Sequence, residues 1–262
     1  LKAIVLFDMD GTLTPPRKKI NNDVTEALKS LQDFARIGIV SGSPYDYIQQ
    51  QMGSAWSGDH TLEAQHLTIM PCNGTQLYTY SNEQNLFVQK SCTDMIDFLG
   101  FQKYRIMISI LTDLQNQVIE SYEDLPVSGN FISFRGSMVN WCMIGRDASD
   151  SMRQSFVNMD EGLRLKLQSM FKTELLDAGI TGISSALGGS TSIDIYPCGW
   201  DKTYCLSHVP DDHVVYFVGD KCKEGGNDAE LFESPRTISY ETSGPSQTLK
   251  IIERIKRSIR HV

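Results

Sequence analysis

No run of eighteen or more apolar residues occurs in the 262-residue sequence, so no membrane-spanning helix and no membrane partner are expected. Leu1 to Phe7 is a short apolar stretch that meets acidic residues at once, which is unlike a signal peptide. The six cysteines, Cys72, Cys92, Cys142, Cys198, Cys205 and Cys222, form no CxxC pair and stand at no zinc spacing with histidine. Neither a zinc site nor a disulfide framework is expected, and they read as reduced thiols of a cytoplasmic protein. His60, His66, His208, His213 and His261 likewise show no metal spacing. Positive charge is in deficit, with 24 Lys and Arg against 32 Asp and Glu. An acidic chain of this kind is a poor partner for nucleic acid, although a small anion remains accessible to locally clustered arginines. Internal repeats and low-complexity tracts are missing too.

What is present is a βαβα opening. Ala3 to Phe7 is a continuous apolar run, predicting a strand buried on both faces. Asn22 precedes a helical pattern at Val24, Leu28, Leu31 and Phe34, and Ile37 to Val40 predicts a second strand. Ser41-Gly42-Ser43-Pro44 then turns into another helix. That order implies a parallel sheet with helices on both faces. After Asn73-Gly74 the texture becomes α+β, with strands expected at Leu86 to Val88, Phe131 to Phe134 and Met138 to Ile144 and a hairpin turn at Arg135-Gly136-Ser137. Met159 to Leu176 predicts one amphipathic helix, and Thr191 to Tyr196 a strand with one wet face. The first texture returns with a helix near Asp201 to His208, a strand at Val214 to Val218 and a final helix from about Ser246 to Ile259. A core of residues 1–81 and 199–262 with an inserted domain of residues 82–198 is the simplest organisation.

Asp8-Met9-Asp10-Gly11-Thr12 follows the first strand directly. Two carboxylates one residue apart at a strand's carboxyl end can take different roles, and the adjacent glycine allows close backbone approach by a ligand. A carboxylate attacks phosphorus competently once a cation such as Mg²⁺ removes the charge repulsion. The competing reading is an exposed acidic turn. Further along, Ser41-Gly42-Ser43 offers donors for phosphate oxygens, Lys202 offers a counter-charge, and Gly219-Asp220 is a second acidic strand end followed by Gly225-Gly226-Asn227-Asp228. Singly, each has a bland alternative as a helix cap, a solvated lysine or a strand terminus. Together and in this order they resemble the haloacid dehalogenase superfamily.

A closer resemblance, over most of the chain, is to eukaryotic-type phosphomannomutases. It is carried by Leu13 to Ile20 after the acidic motif, by Phe134-Arg135, Asn140, Ile144-Gly145-Arg146 and Arg153, by Gly188 to Asp194, by Gly199 to Lys202, and by the two glycine-rich acidic segments. The resemblance implies a Rossmann-like α/β core with an inserted α+β C2-type cap. It implies interconversion of mannose 1-phosphate and mannose 6-phosphate through an aspartyl-phosphate, for GDP-mannose supply. By the same resemblance Asp8 is the nucleophile and Asp10 the general acid/base, while Ser43 and Lys202 hold the transferring phosphate. Mg²⁺ falls to Asp8, the Asp10 carbonyl and Asp220. The phosphorylated hexose falls to Arg17, Arg135, Asn140, Arg146, Arg153, Ser192 and Asp194. A hexose 1,6-bisphosphate activator and a homodimer through the cap are also implied. Guanidinium groups suit bidentate phosphate binding, which gives the cap arginines a purpose beyond ordinary surface charge.

A mutase must hold a bisphosphate and rebind it turned around, so a distal phosphate site and exclusion of water are both required of the cap. Where the family carries an acidic residue for a second cation, this chain has Ser234. A sugar-phosphate phosphatase on the same fold is the alternative, and Arg135 to Arg153 is the segment that discriminates. A scaffold that has lost catalysis is disfavoured because Asp8, Asp10 and Asp220 are all retained.

Overall fold

The computed structural model describes residues 2–57 and 62–260, so His60 and His261 lie outside the described residues. The chain forms two compact units, residues 1–92 with 200–262, and residues 93–199.

The first unit is built on a seven-stranded sheet. Its strands are β1 (Ala3–Phe7), β2 (Arg36–Val40), β3 (Leu67–Met70), β4 (Gln76–Ser81) and β5 (Leu86–Cys92) and, after the second unit, β10 (Val214–Gly219) and β11 (Thr237–Glu241). The order is β11-β10-β1-β2-β3-β4-β5. The first five positions in that order run parallel, whereas β4 and β5 add an antiparallel hairpin at one edge. Residues 82–92, expected with the insertion, therefore complete the first sheet. Side chains of a strand alternate between faces. Ala3, Val5 and Phe7 pack with Val24, Leu28 and Leu31 of α1 (Asn22–Gln32) and with Ile251, Ile252 and Ile255 of α8 (Pro245–Arg260). Ile4 and Leu6 pack on the other face with Cys205, Val209, Phe217 and Leu231. Two covered faces explain why β1 is an unbroken apolar run.

The first helix is capped by Asn21, one residue earlier than expected, whose Oδ1 accepts from Val24 N at 2.9 Å. Pro44 precedes α2 (Tyr45–Met52). Asp201 caps the 3₁₀ segment Lys202–His208, and α7 (Ala229–Phe232) leads into β11. The strand order places β1 at the switch point: the chain builds outward through β2 and β3 on one side and through β10 and β11 on the other. In open α/β sheets that is where ligands bind, at the carboxyl ends of the strands.

The second unit carries a four-stranded antiparallel sheet, β6 (Ile132–Phe134), β7 (Val139–Cys142), β8 (Ile183–Gly188) and β9 (Ser192–Pro197), in the order β6-β7-β9-β8. Its helices are α3 (Met95–Leu99), α4 (Phe101–Ser121), α5 (Asp150–Met159) and α6 (Leu163–Asp177). The 21-residue α4 was not anticipated, although its buried Met107, Leu111, Leu114 and Val118 keep helical spacing. Exposed Phe101, Ile106 and Ile119 blur that stripe. The single helix expected over Met159 to Leu176 breaks at Gly162, which adopts φ 86°. β9 was expected to have one wet face, but all six of its residues are buried.

Candidate active site

β1 delivers Asp8 to the switch point. Its backbone N–H still donates to Val218 O at 3.0 Å, so Asp8 is fixed at the end of the β1–β10 ladder. The chain then reverses sharply, with Leu13 N and Thr14 N both donating to Met9 O. Gly11 sits in this turn at φ 88°, and a Cβ there would run into the Asp220 carboxylate. Only glycine therefore lets the two acidic strand ends approach. Thr248 Oγ1, in the first turns of α8, donates to Thr12 O at 2.8 Å and ties the turn from behind.

Lys202 is fully buried, and its Nζ lies 2.5 Å from Asp8 Oδ1 and 2.5 Å from Asp228 Oδ1. The other Asp228 oxygen accepts from Asp220 N at 3.1 Å and Lys221 N at 2.9 Å. Asp8, Asp220 and Asp228 each present an oxygen within 4.8 Å of the others. Sequence reasoning singled out the segment ending in Asp228 but gave that residue no role. Its contact with Lys202 is a tertiary pairing that local pattern does not encode. Lys221, more exposed, places its Nζ 3.6 Å from Asp220 Oδ2, and three carboxylates against these two ammonium groups leave the cluster with excess negative charge. Burial pushes the Asp8 carboxyl well above its usual range; Lys202 opposes this, while Asp228 and Asp220 add to it. Asp220 is raised too, first by burial and then by Asp228. Burial works against the Lys202 charge, but Asp228 and Asp8 outweigh it and hold the ammonium above its ordinary range.

Asp10 faces a different partner: its Oδ1 accepts from the backbone N–H of Arg17 at 2.9 Å, and Arg17 adopts φ 61° on an exposed loop. Ser43 follows β2 on the same edge of the sheet as Asp8, and its N–H donates to Ser41 Oγ at 3.1 Å. At the resemblance-implied second cation position the chain carries a hydroxyl in place of a carboxylate. Thr237 Oγ1 lies within hydrogen-bond distance of both Leu231 O and Ser234 O, at 2.9 and 3.0 Å.

The remaining expected site residues gather within the second unit. Asn140 and Asp194 are directly opposite on β7 and β9, which puts both on the same face of that sheet. Asn140 Nδ2 donates to Asp194 Oδ1 at 2.6 Å, Arg146 Nη1 donates to Asn140 Oδ1 at 3.1 Å, and Arg135 Nη1 lies 3.7 Å from Asp194 Oδ1. Arg153 donates to Ala148 O, Arg146 O and Thr191 Oγ1, at 3.2, 2.8 and 2.6 Å. Thr191 was not foreseen as part of this cluster. Ser192 spends its hydroxyl on Gly188 O at 2.7 Å. The cluster holds three guanidinium groups and one carboxylate, a composition suited to an anion.

Among solved structures, the chain is similar to an IMP-bound variant of Plasmodium falciparum IMP-nucleotidase. The TM-score is 0.68 at 14% identity, covering 97% of this chain and 66% of that one. It is also similar to a trehalose-6-phosphate phosphatase related protein, with a TM-score of 0.55 at 14% identity and 97% coverage of each chain. The fold is thus that of the haloacid dehalogenase superfamily. Sequence comparison narrows the class. A family model described as eukaryotic phosphomannomutase matches residues 24–258. The phosphomannomutase of Schizosaccharomyces pombe is 34% identical, over 97% of this chain and 94% of its own. The chain belongs to the eukaryotic phosphomannomutase family.

Proposed function

We propose that the chain is a phosphomannomutase, an isomerase that moves a phosphoryl group between the 1 and 6 positions of mannose phosphate by way of Asp8. The observation that carries this reading is the family match over residues 24–258, which takes in the whole second unit with its arginine cluster as well as Lys202 and the acidic strand end at Asp220. Fold likeness alone would serve a phosphatase equally well.

In the proposed reaction a phosphoryl group on Asp8 passes to the O6 hydroxyl of mannose 1-phosphate. The bond from phosphorus to the Asp8 oxygen breaks as the bond to O6 forms, and Asp10 takes the hydroxyl proton. The resulting 1,6-bisphosphate turns around. An Asp8 oxygen then attacks the phosphorus on O1, and Asp10 returns the proton to O1 as mannose 6-phosphate leaves. Arg17 N–H orients the Asp10 carboxylate for both transfers. Lys202 and Ser43 hold the transferring phosphoryl oxygens. Arg17, Arg135, Asn140, Arg146, Arg153, Ser192 and Asp194 hold the sugar and its other phosphate. A hexose 1,6-bisphosphate serves as activator by loading Asp8.

The acidic cluster fits a hard divalent cation, because its three carboxylates exceed Lys202 and Lys221 in charge and Gly11 leaves room for Asp220. Asp8, the Asp10 carbonyl and Asp220 would hold Mg²⁺. Asp228 is already engaged by Lys202 and two backbone amides. When bound, Mg²⁺ screens phosphoryl oxygens from the attacking carboxylate. Residues 93–199 act as the substrate-binding cap, and a homodimer formed through this unit in the cytoplasm is part of the same reading. Among the described residues no helix is long and apolar enough to cross a membrane.

The test is ³¹P NMR of the protein with mannose 1-phosphate, Mg²⁺ and a trace of hexose 1,6-bisphosphate. A 6-phosphate resonance that disappears in Asp8→Asn is the expected result. Inorganic phosphate as the sole product would make the protein a phosphatase instead.

A further inference from the structure

Between β3 and β4 the backbone takes three successive left-handed residues, Cys72 at φ 49°, Asn73 at 65° and Gly74 at 88°. Two of the three are not glycine, a conformation that L side chains resist unless the surroundings hold it. The surroundings do so from two sides. Cys72 N donates to Ser43 O at 3.1 Å and Asn73 N to Ser41 O at 2.9 Å, which fixes the loop after β2. Asn73 Nδ2 donates to Trp200 O at 3.2 Å, two residues before Lys202. Gly74 packs so closely on the Lys202–His208 segment that a Cβ would lie 2.6 Å from Cys205 Cα, and the His208 ring is 2.7 Å from Gly74 O.

We propose that Asn73 is a positioning residue for phosphoryl transfer, setting the Ser41–Ser43 loop and the Trp200–Lys202 segment at a fixed separation. The inference rests on the reading that Ser43 and Lys202 hold the transferring phosphoryl group. Asn73 is 4% exposed, so its amide acts without water in competition. Asparagine suits the position on two counts: it tolerates the left-handed region, and its side-chain NH₂ reaches a carbonyl. Glycine keeps the first property and loses the second. Aspartate keeps the backbone preference but would present an acceptor to the Trp200 carbonyl. Being neutral, the amide leaves the Asp8–Lys202–Asp228 ion pairs undisturbed, which a lysine donor at the same place would not.

The experiment compares the full chain with Asn73→Gly, Asn73→Asp, Ser43→Ala and the Asn73→Gly/Ser43→Ala double variant, in mannose 1-phosphate turnover with Mg²⁺ and thermal unfolding. Asn73→Gly should lower kcat about tenfold with KM unchanged, and Asn73→Asp should lower it further. In the double variant the loss should be less than additive, because both changes act through one loop; a general weakening of the fold would give an additive loss. Parental kcat in Asn73→Gly or Asn73→Asp, or strict additivity, overturns the inference. Asn73→Asp decides it if the glycine variant misfolds. A fast Ser43→Ala overturns the active-site reading and this inference with it, whereas a slow Ser43→Ala beside a fast Asn73→Gly overturns this inference alone.

Discussion

The two units carry charge clusters of opposite composition. In the first, three carboxylates stand against two ammonium groups, Lys202 and Lys221, at a sheet's carboxyl edge; in the second, three guanidinium groups accompany one carboxylate, with Arg135 beside Asp194, Arg146 on Asn140 and Arg153 on Thr191. Both are built from buried or half-buried residues, where charge is expensive unless paired. Each cluster carries an excess of one sign, the first suited to a cation and the second to an anion. A metal-assisted phosphoryl transfer needs both, and a chain with formal charge −8 nevertheless gathers three arginines in one network.

The sharpest way to break this comparison is Lys202→Ala. It leaves Asp8 and Asp228 without the ammonium they share, so turnover should be lost and stability should fall by about 3–5 kcal/mol. Urea denaturation reads the loss, and added Mg²⁺ should recover part of it by supplying countercharge to the folded state alone. No recovery would mean that the carboxylates do not form one cation site. Arg146→Gln attacks the other cluster: kcat/KM for mannose 1-phosphate should drop about 10- to 100-fold, with the Mg²⁺ concentration for half-maximal rate unchanged. A shifted Mg²⁺ dependence would show that the clusters are not independent in this sense.

Gly11→Ala makes a smaller change and reverses that pattern. It forces an alanine to φ 88° and pushes on Asp220, so the Mg²⁺ requirement should rise about tenfold while KM for the sugar phosphate holds. The smallest expected effect is Asn21→Ala, which removes the α1 cap remote from both clusters. It should cost about 1 kcal/mol in urea denaturation and leave every kinetic constant in place.

Much of the first cluster was legible because its residues follow apolar strands. An uninterrupted run such as Ala3 to Phe7 announces a buried parallel strand, and the residue after it must lie at the carboxyl edge. Asp228 was not legible in the same way, since its partner Lys202 comes from a different segment and only the tertiary fold brings them together. In the second unit the alternation of β9 marked Ser192 and Asp194 as one face but suggested water beside it. The face is instead filled by Asn140 and Arg135, polar groups whose burial is permitted by pairing. The α4 helix escaped notice because its outer side is also apolar in places, and the β4–β5 hairpin was split because period-2 patterning cannot say to which sheet a strand belongs.

The position of β1 carries a consequence for the order of events during synthesis. This strand is made before the others of its sheet, yet it lies at the middle of that sheet and hydrogen-bonds β10, which leaves the ribosome only after the whole second unit. Until then one side of β1 is an open, entirely apolar edge, of the kind that invites pairing with other chains. The strand that leads into Asp8 is therefore completed late. A nascent chain halted before Val214 should accordingly depend on chaperone cover far more than one halted after Arg260.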